Sequence, residues 1–123
     1  MTQVGNVYGE ALYTLALEEQ LTEQLLGELT VLSQCFHENP DFIRLLSSPN
    51  FSKQERCQIL DDSFRGKVQP YVLNFLKILT EKGYAKHFHD CFKTFEDLYK
   101  RHSAYFIKAK LGLFGEETDE NQE

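Results

Sequence analysis

The chain has 123 residues, of which 41% are hydrophobic and 26% are charged, and its net charge is −6. This length suits one domain with a packed core, and no apolar run approaches the roughly 20 residues that a membrane-spanning helix needs. Three scattered cysteines exclude a disulfide framework and favour a reducing compartment. The first residues also lack the pattern of a secretory signal, so we expect no export and no direct membrane insertion.

The negative charge is concentrated at one end of the chain. Residues 116–123 hold five of the 19 acidic residues and no Lys or Arg, so the rest of the chain is nearly neutral. A nearly neutral body lacks the clustered basic face that nucleic-acid binding requires, and we expect no nucleic-acid partner. We predict one domain over residues 1–111 and an acidic disordered tail over residues 112–123.

Apolar residues recur three and four positions apart, which predicts helices, and no strand-like alternation appears. Short connections between the helices favour a compact, all-α bundle that is monomeric in isolation. The six predicted helices cover residues 3–20, 22–37, 41–47, 53–65, 70–82 and 85–111.

Turn and cap residues support these boundaries. Pro40 and Pro70 stand at first helical positions, where the missing N–H of proline costs nothing. Ser52 begins a capping box with the glutamate three residues later. Gly66 and Gly83 stand where left-handed C-terminal caps are needed.

Signs of catalysis are sparse. The sequence has no glycine-rich phosphate loop, nucleophile elbow or dinucleotide fingerprint. His87 and Cys91 lie four residues apart on a predicted helix and could share a metal ion, but no second half of such a site is visible. We favour purely structural roles over a metal site, with Cys91 as a small core residue and the histidines on an exposed face of the helix. We therefore expect no catalytic residue, no metal and no cofactor.

The first and fifth predicted helices carry more apolar surface than a single core stripe needs. In the first helix, Gly5, Gly9 and Ala16 form a strip of small residues that would let another helix approach closely. In the fifth helix, Tyr71 and Ile78 widen the core stripe on one side. Two interpretations remain open at this point. These helices are central and covered on several sides, or they form an exposed groove that accepts an amphipathic helix.

Several segments, taken in order, resemble a known family. The opening segment YGEALYTLA at residues 8–16 resembles the start of the delta subunit of F-type ATP synthases, the counterpart of the mitochondrial oligomycin-sensitivity-conferring protein. The resemblance covers about residues 4–110. It continues through NPDF at 39–42, LLSSP at 45–49, residues 53–60, NFLKIL at 74–79 and EKG at 81–83.

The resemblance implies a fold and a role. The N-terminal domain of that family is a six-helix bundle on top of the catalytic head, and its first and fifth helices bind the N-terminal helix of an alpha subunit. It implies a non-catalytic stator subunit, held peripherally at the cytoplasmic face of a bacterial membrane. The groove residues carried over by position are Tyr8, Ala11, Leu12, Leu15, Phe75, Ile78 and Leu79.

The sequence departs from the family pattern after Lys110. The family continues there into a C-terminal domain that contacts the peripheral-stalk b subunit, whereas we expect the acidic tail in this chain. Two alternatives belong to other classes of protein. One is a helical regulatory module that binds a partner outside any ATP synthase, and the other is a small metal- or thiol-dependent enzyme that uses His87 and Cys91.

Overall fold

The computed structural model describes the backbone of residues 2–110 and the side chains of residues 2–103. Over this range the chain is helical and contains no strand, which confirms the predicted all-α six-helix bundle. The predicted tail over residues 112–123 lies outside the described residues. The helices are α1 (Gln3–Glu19), α2 (Thr22–Glu38), α3 (Pro40–Leu46), α4 (Lys53–Phe64), α5 (Pro70–Glu81) and α6 (Phe88–Lys110).

The predicted caps are present. The Ser52 side chain accepts a hydrogen bond from the Glu55 N–H at 3.1 Å, and the Glu55 carboxylate accepts one from the Ser52 N–H at 2.8 Å. Gly66 and Gly83 have φ angles of 80° and 78°, the left-handed conformation that glycine adopts without steric cost. The sequence did not predict the left-handed Gln20 (φ 58°), whose N–H bonds to the last carbonyls of α1.

The predicted start of the last helix is wrong by three residues. Ala85–His87 forms a 3₁₀ turn, and α6 begins at Phe88. The His87 N–H bonds to the Tyr84 carbonyl at 2.9 Å, the tighter spacing of a 3₁₀ turn. Ala85 and Phe88 are both buried, so this tighter turn brings two apolar side chains into the core within four residues.

α6 contributes one apolar face to the core. Phe95 is completely buried, and Phe88, Cys91 and Phe92 lie on the same face. α1 packs along α6 in parallel, since Gly5 lies against Asp90 and residues further along α1 contact residues further along α6. This close, parallel packing of α1 on α6 is called the α1–α6 seam below.

The predicted strip of small residues on α1 does allow close approach, and the helix that approaches is α6. A Cβ atom added to Gly5 would lie 2.6 Å from Cβ of Asp90, and one added to Gly9 would lie 2.7 Å from the Cys91 carbonyl oxygen. Ala16 has no exposed surface. These three positions are therefore covered within the bundle and contribute nothing to an outer surface.

Within residues 2–110, none of the helices combines the length and the apolar composition needed to cross a membrane.

Candidate partner-binding groove

A groove of about 250 Å³ lies between α1 and α5. Six of the seven predicted groove residues line it, and the structure adds Tyr71 and Asn74. Leu79, the seventh, is only 1% exposed and lies in the core instead. The residues that line the groove are Tyr8, Ala11, Leu12, Leu15, Tyr71, Asn74, Phe75 and Ile78.

α1 and α5 each bury one face in the bundle and turn a second face toward the groove. α1 turns Gly5, Gly9 and Ala16 toward the interior, which leaves Tyr8, Ala11 and Leu15 on the side that meets α5. On a helix, residues three and four apart share a face, so these side chains form one wall.

α5 is divided between the core and the groove in the same way. Val72, Leu76 and Leu79 are buried in the core. Tyr71, Asn74 and Ile78 follow the three- and four-residue spacing of the adjacent face and form the second wall. Leu79 follows Ile78 directly and is therefore turned about 100° away from it around the helix axis.

The ends of the groove show that α1 and α5 run in opposite directions. The Tyr8 ring packs edge-on against the Tyr84 ring, with 5.8 Å between the centroids, and Tyr84 lies just beyond the end of α5. The start of α1 therefore lies at the end of α5, and Leu15 lies nearer to Tyr71. The groove is about two helical turns long, because Tyr8 and Leu15 are seven residues apart on α1.

The groove combines a buried floor with an open rim. Leu12 and Phe75 are 5% and 7% exposed and form the floor, whereas Ala11 is exposed and Tyr71 is 36% exposed. None of the lining side chains is charged. Such a surface can bury apolar side chains of a partner, and it offers no group for acid–base or nucleophilic chemistry.

The extra apolar surface of α1 and α5 is partly covered within the bundle and partly open. Tyr13 and Leu73, which widen the apolar faces of α1 and α5, are 3% and 5% exposed and belong to the core. Val7, at 54% exposed, stands at the outer side of α1. The two helices are thus covered on several sides and open on one.

The His87 and Cys91 pair does not form a reactive site. Nδ1 of His87 lies 3.9 Å from a carboxylate oxygen of Asp90. Cys91 is 2% exposed, and burial raises the pKa of its thiol to about 12. A thiol with this pKa holds almost no thiolate near neutral pH, so Cys91 is a poor nucleophile. Among the residues that the structure describes, no three His, Cys, Asp or Glu side chains are grouped as metal ligands would be.

A second and larger groove, of about 590 Å³, lies between α2 and the segment that joins α4 to α5. Val31 is 68% exposed at its edge, and Phe64 and Val68 contribute to its wall. Sequence reasoning missed this groove. The sequence offered one signal, a glycine at position 27 in the middle of a predicted helix. In the structure a Cβ atom at Gly27 would meet nothing within 4 Å, so no packing contact requires glycine there.

Comparisons with known proteins agree with the resemblance. The family model described as "ATP synthase delta (OSCP) subunit" matches residues 4–110. The chain belongs to this family.

Three relatives, all named ATP synthase subunit delta, illustrate the range of similarity. The protein from Alkaliphilus oremlandii is 39% identical over 80 residues, which is 65% of this chain and 44% of the relative. The Lachnoclostridium phytofermentans protein is 36% identical over 80 residues, with the same two shares. The Staphylococcus aureus protein is 27% identical over 103 residues, 83% of this chain and 57% of the relative. The chain thus spans about half the length of the curated relatives it matches.

Proposed function

We propose that this chain is a non-catalytic stator component of an F-type ATP synthase, and that its α1–α5 groove binds the N-terminal helix of an alpha subunit. Membership of the ATP synthase delta (OSCP) family supports the assignment to the complex. The single observation that supports the binding role is the uncharged apolar groove, whose two walls come from α1 and α5.

The proposed mechanism is the formation of a stiff joint. An amphipathic helix that lies in the groove would bury apolar side chains against Leu12 and Phe75, which already have well-packed surroundings. A rigid bundle held in this way transmits torque from the catalytic head to the peripheral stalk, so that the head does not turn with the rotor during proton-driven ATP synthesis. No nucleotide or proton needs to contact the bundle.

The location and the second partner complete the proposal. We place the protein peripherally at the cytoplasmic face of a bacterial membrane, as part of the synthase. The b subunit of the peripheral stalk is the second proposed partner. The α1–α5 groove is assigned to the alpha subunit, and the described residues carry no assigned surface for b.

Ala11→Asp tests the groove. Ala11 is exposed in the free protein, so the new carboxylate stays hydrated and the bundle should remain folded. Once a partner helix covers it, the carboxylate is desolvated without a counter-charge, a cost of at least about 2 kcal/mol. We expect affinity for a synthetic N-terminal peptide of the cognate alpha subunit to fall by about 30-fold in calorimetric titration. The melting temperature should hardly change.

Val31→Asp is the matched control. It also adds one carboxylate at an exposed apolar position, but in the second groove, on α2. We expect this variant to bind the alpha peptide as tightly as the original protein. If Val31→Asp abolished binding and Ala11→Asp did not, the peptide would bind at the second groove and the proposal would be wrong. If the protein did not co-purify with ATP synthase subunits, a regulatory module outside the synthase would be favoured instead.

A further inference from the structure

The two ends of the α1–α5 groove carry opposite charges. Starting from Tyr8, the groove face of α1 continues through Ala11 and Leu15 to Glu18 and Glu19, which are both exposed. Steps of three and four residues keep side chains on one helix face, so these two carboxylates stand just past the end of the apolar wall. The last turn of α1 contains no basic residue that could neutralise them.

The opposite end of the groove carries a lysine. The groove face of α5 continues from Tyr71 and Ile78 to Lys82, which is exposed and immediately follows the helix. The neighbouring Glu81 does not compensate it within the groove, because the Glu81 carboxylate accepts a hydrogen bond from the Cys57 thiol of α4 at 3.7 Å.

Other charges near the groove point elsewhere. Glu10 is exposed on α1, but its position is about 150° around the helix from the groove face. Lys77 forms an ion pair with Asp61 of α4, with 2.7 Å between Nζ and the carboxylate oxygen. The Glu28 carboxylate accepts a hydrogen bond from the Gln69 N–H at 2.7 Å.

The antiparallel course of α1 and α5 sets the distance between the two charged ends. Lys82 lies near the level of Tyr8, because Tyr84, two residues later, packs on the Tyr8 ring, and Glu18 lies ten residues further along α1. At 1.5 Å per residue the charges are roughly 15 Å apart along the groove, which corresponds to about 10 residues of a docked helix. This distance exceeds the screening length of about 8 Å at physiological salt, so each end acts separately.

We propose that the helix that occupies this groove carries a basic residue near Glu18 and Glu19 and an acidic residue near Lys82, about three turns apart, with an apolar stripe between them. This inference rests on the proposed function, because it takes the N-terminal helix of the alpha subunit as the occupant. The charges fix the position of the helix along a groove whose apolar walls alone would allow it to slide.

The test is a titration of the N-terminal peptide of the cognate alpha subunit against charge-reversed variants of this protein. Glu18→Lys combined with Glu19→Lys should weaken binding by about tenfold, because two attractions become repulsions at one end. Lys82→Glu should weaken it by about threefold. Both losses should shrink when the salt concentration is raised to 0.5 M. The Glu18 and Glu19 changes should not unfold the protein, because lysine is favourable at the end of a helix.

Glu10→Lys is the matched control, since it reverses an exposed charge on α1 away from the groove. The affinity of Glu10→Lys for the alpha peptide should stay within about twofold of that of the unsubstituted protein. Equal affinities for all the charge variants, with binding still lost in Ala11→Asp, would overturn the charge inference and leave the groove assignment intact. If Ala11→Asp also bound normally, the groove assignment itself would fail. An affinity loss as large in Glu10→Lys as in the Glu18 and Glu19 variant would indicate a net-charge effect and would also overturn the inference.

Discussion

On one side of α1, Gly5 and Gly9 bring the helix so close to α6 that an added Cβ atom would collide with the backbone or side chains of α6. On another side of the same helix, Ala11 is exposed and faces a groove about 250 Å³ in volume. Gly9 and Ala11 are two residues apart, and both are small residues on an apolar helix. One lies in a closed interface, and the other borders an open groove.

The difference shows what a small residue means on a helix surface. In the α1–α6 seam the chain supplies its own partner, so the missing side chains allow two backbones to approach. At the groove α5 stands further off, and the described part of the chain leaves the space between the walls open. Substitutions on the two sides should therefore change different measured properties, namely stability in the seam and binding at the groove.

The largest stability loss should come from the core side of α5. Leu79 is 1% exposed, and Leu79→Ala would leave a cavity that costs about 3 kcal/mol of unfolding free energy. Ile78 is next to it in sequence but lines the groove, so Ile78→Ala should cost less stability and should weaken alpha-peptide binding. Urea denaturation and peptide titration of both variants measure the two effects. Weakened binding in Leu79→Ala without loss of stability would contradict the core position of Leu79.

Gly9→Val should destabilise the seam by about 2 kcal/mol. The added atoms would lie within 3 Å of the Cys91 carbonyl and the Thr94 side chain, and α1 would have to move away from α6. Ala11→Val adds two carbons on the open side and serves as the control, with an expected loss of stability of at most about 0.7 kcal/mol from the lower helix propensity of valine. Thermal melting compares the two variants. Similar melting temperatures for both would show that the seam is not tightly packed.

Gly27→Ala tests a glycine that lies neither in the α1–α6 seam nor at the α1–α5 groove. A Cβ atom at Gly27 meets nothing within 4 Å, so alanine adds no clash and improves helix propensity. We expect unfolding free energy to rise by about 1 kcal/mol in urea denaturation. A loss of stability would mean that α2 is packed more closely around Gly27 than the structure indicates.

The smallest change in stability should come from removing the ion pair between Lys77 of α5 and Asp61 of α4. The hydrogen bond from Lys77 holds the pKa of Asp61 below its usual range, and Arg65 acts in the same direction. Because the folded pKa is lowered, the stabilisation is present above the unfolded pKa and is lost as the pH falls through the folded pKa. Asp61→Asn should therefore be slightly less stable than the original at pH 7. Melting curves from pH 7 to pH 2 should converge at the acid end, and a difference that grew toward low pH would contradict this assignment.

The fold could be predicted from local signals because helix ends depend on short-range chemistry. Pro40, Pro70 and the Ser52 capping box act within one helical turn, and their effects do not depend on distant residues. Gln20 was missed because glutamine carries no local preference for a left-handed conformation, and the hydrogen bonds that hold it there are visible only in the folded chain.

The site could be predicted only in part, because helical periodicity shows how much apolar surface exists and not what covers it. Ile78 and Leu79 are both apolar and adjacent on α5, but only Ile78 lines the groove. The family resemblance indicated which two helices form the groove. The exact face depends on how α1 and α5 are rotated against the core, which long-range packing determines.

The α1–α6 seam also has a consequence for the synthesis of the protein. It joins the first helix to the last described helix, so Gly5 and Asp90 meet only after nearly the whole domain has left the ribosome. Until then the face of α1 that packs on α6 has no helix to cover it, and the nascent domain cannot complete its core. α1 is also one wall of the groove, which means that the surface proposed to bind the alpha subunit is assembled only when the domain is complete.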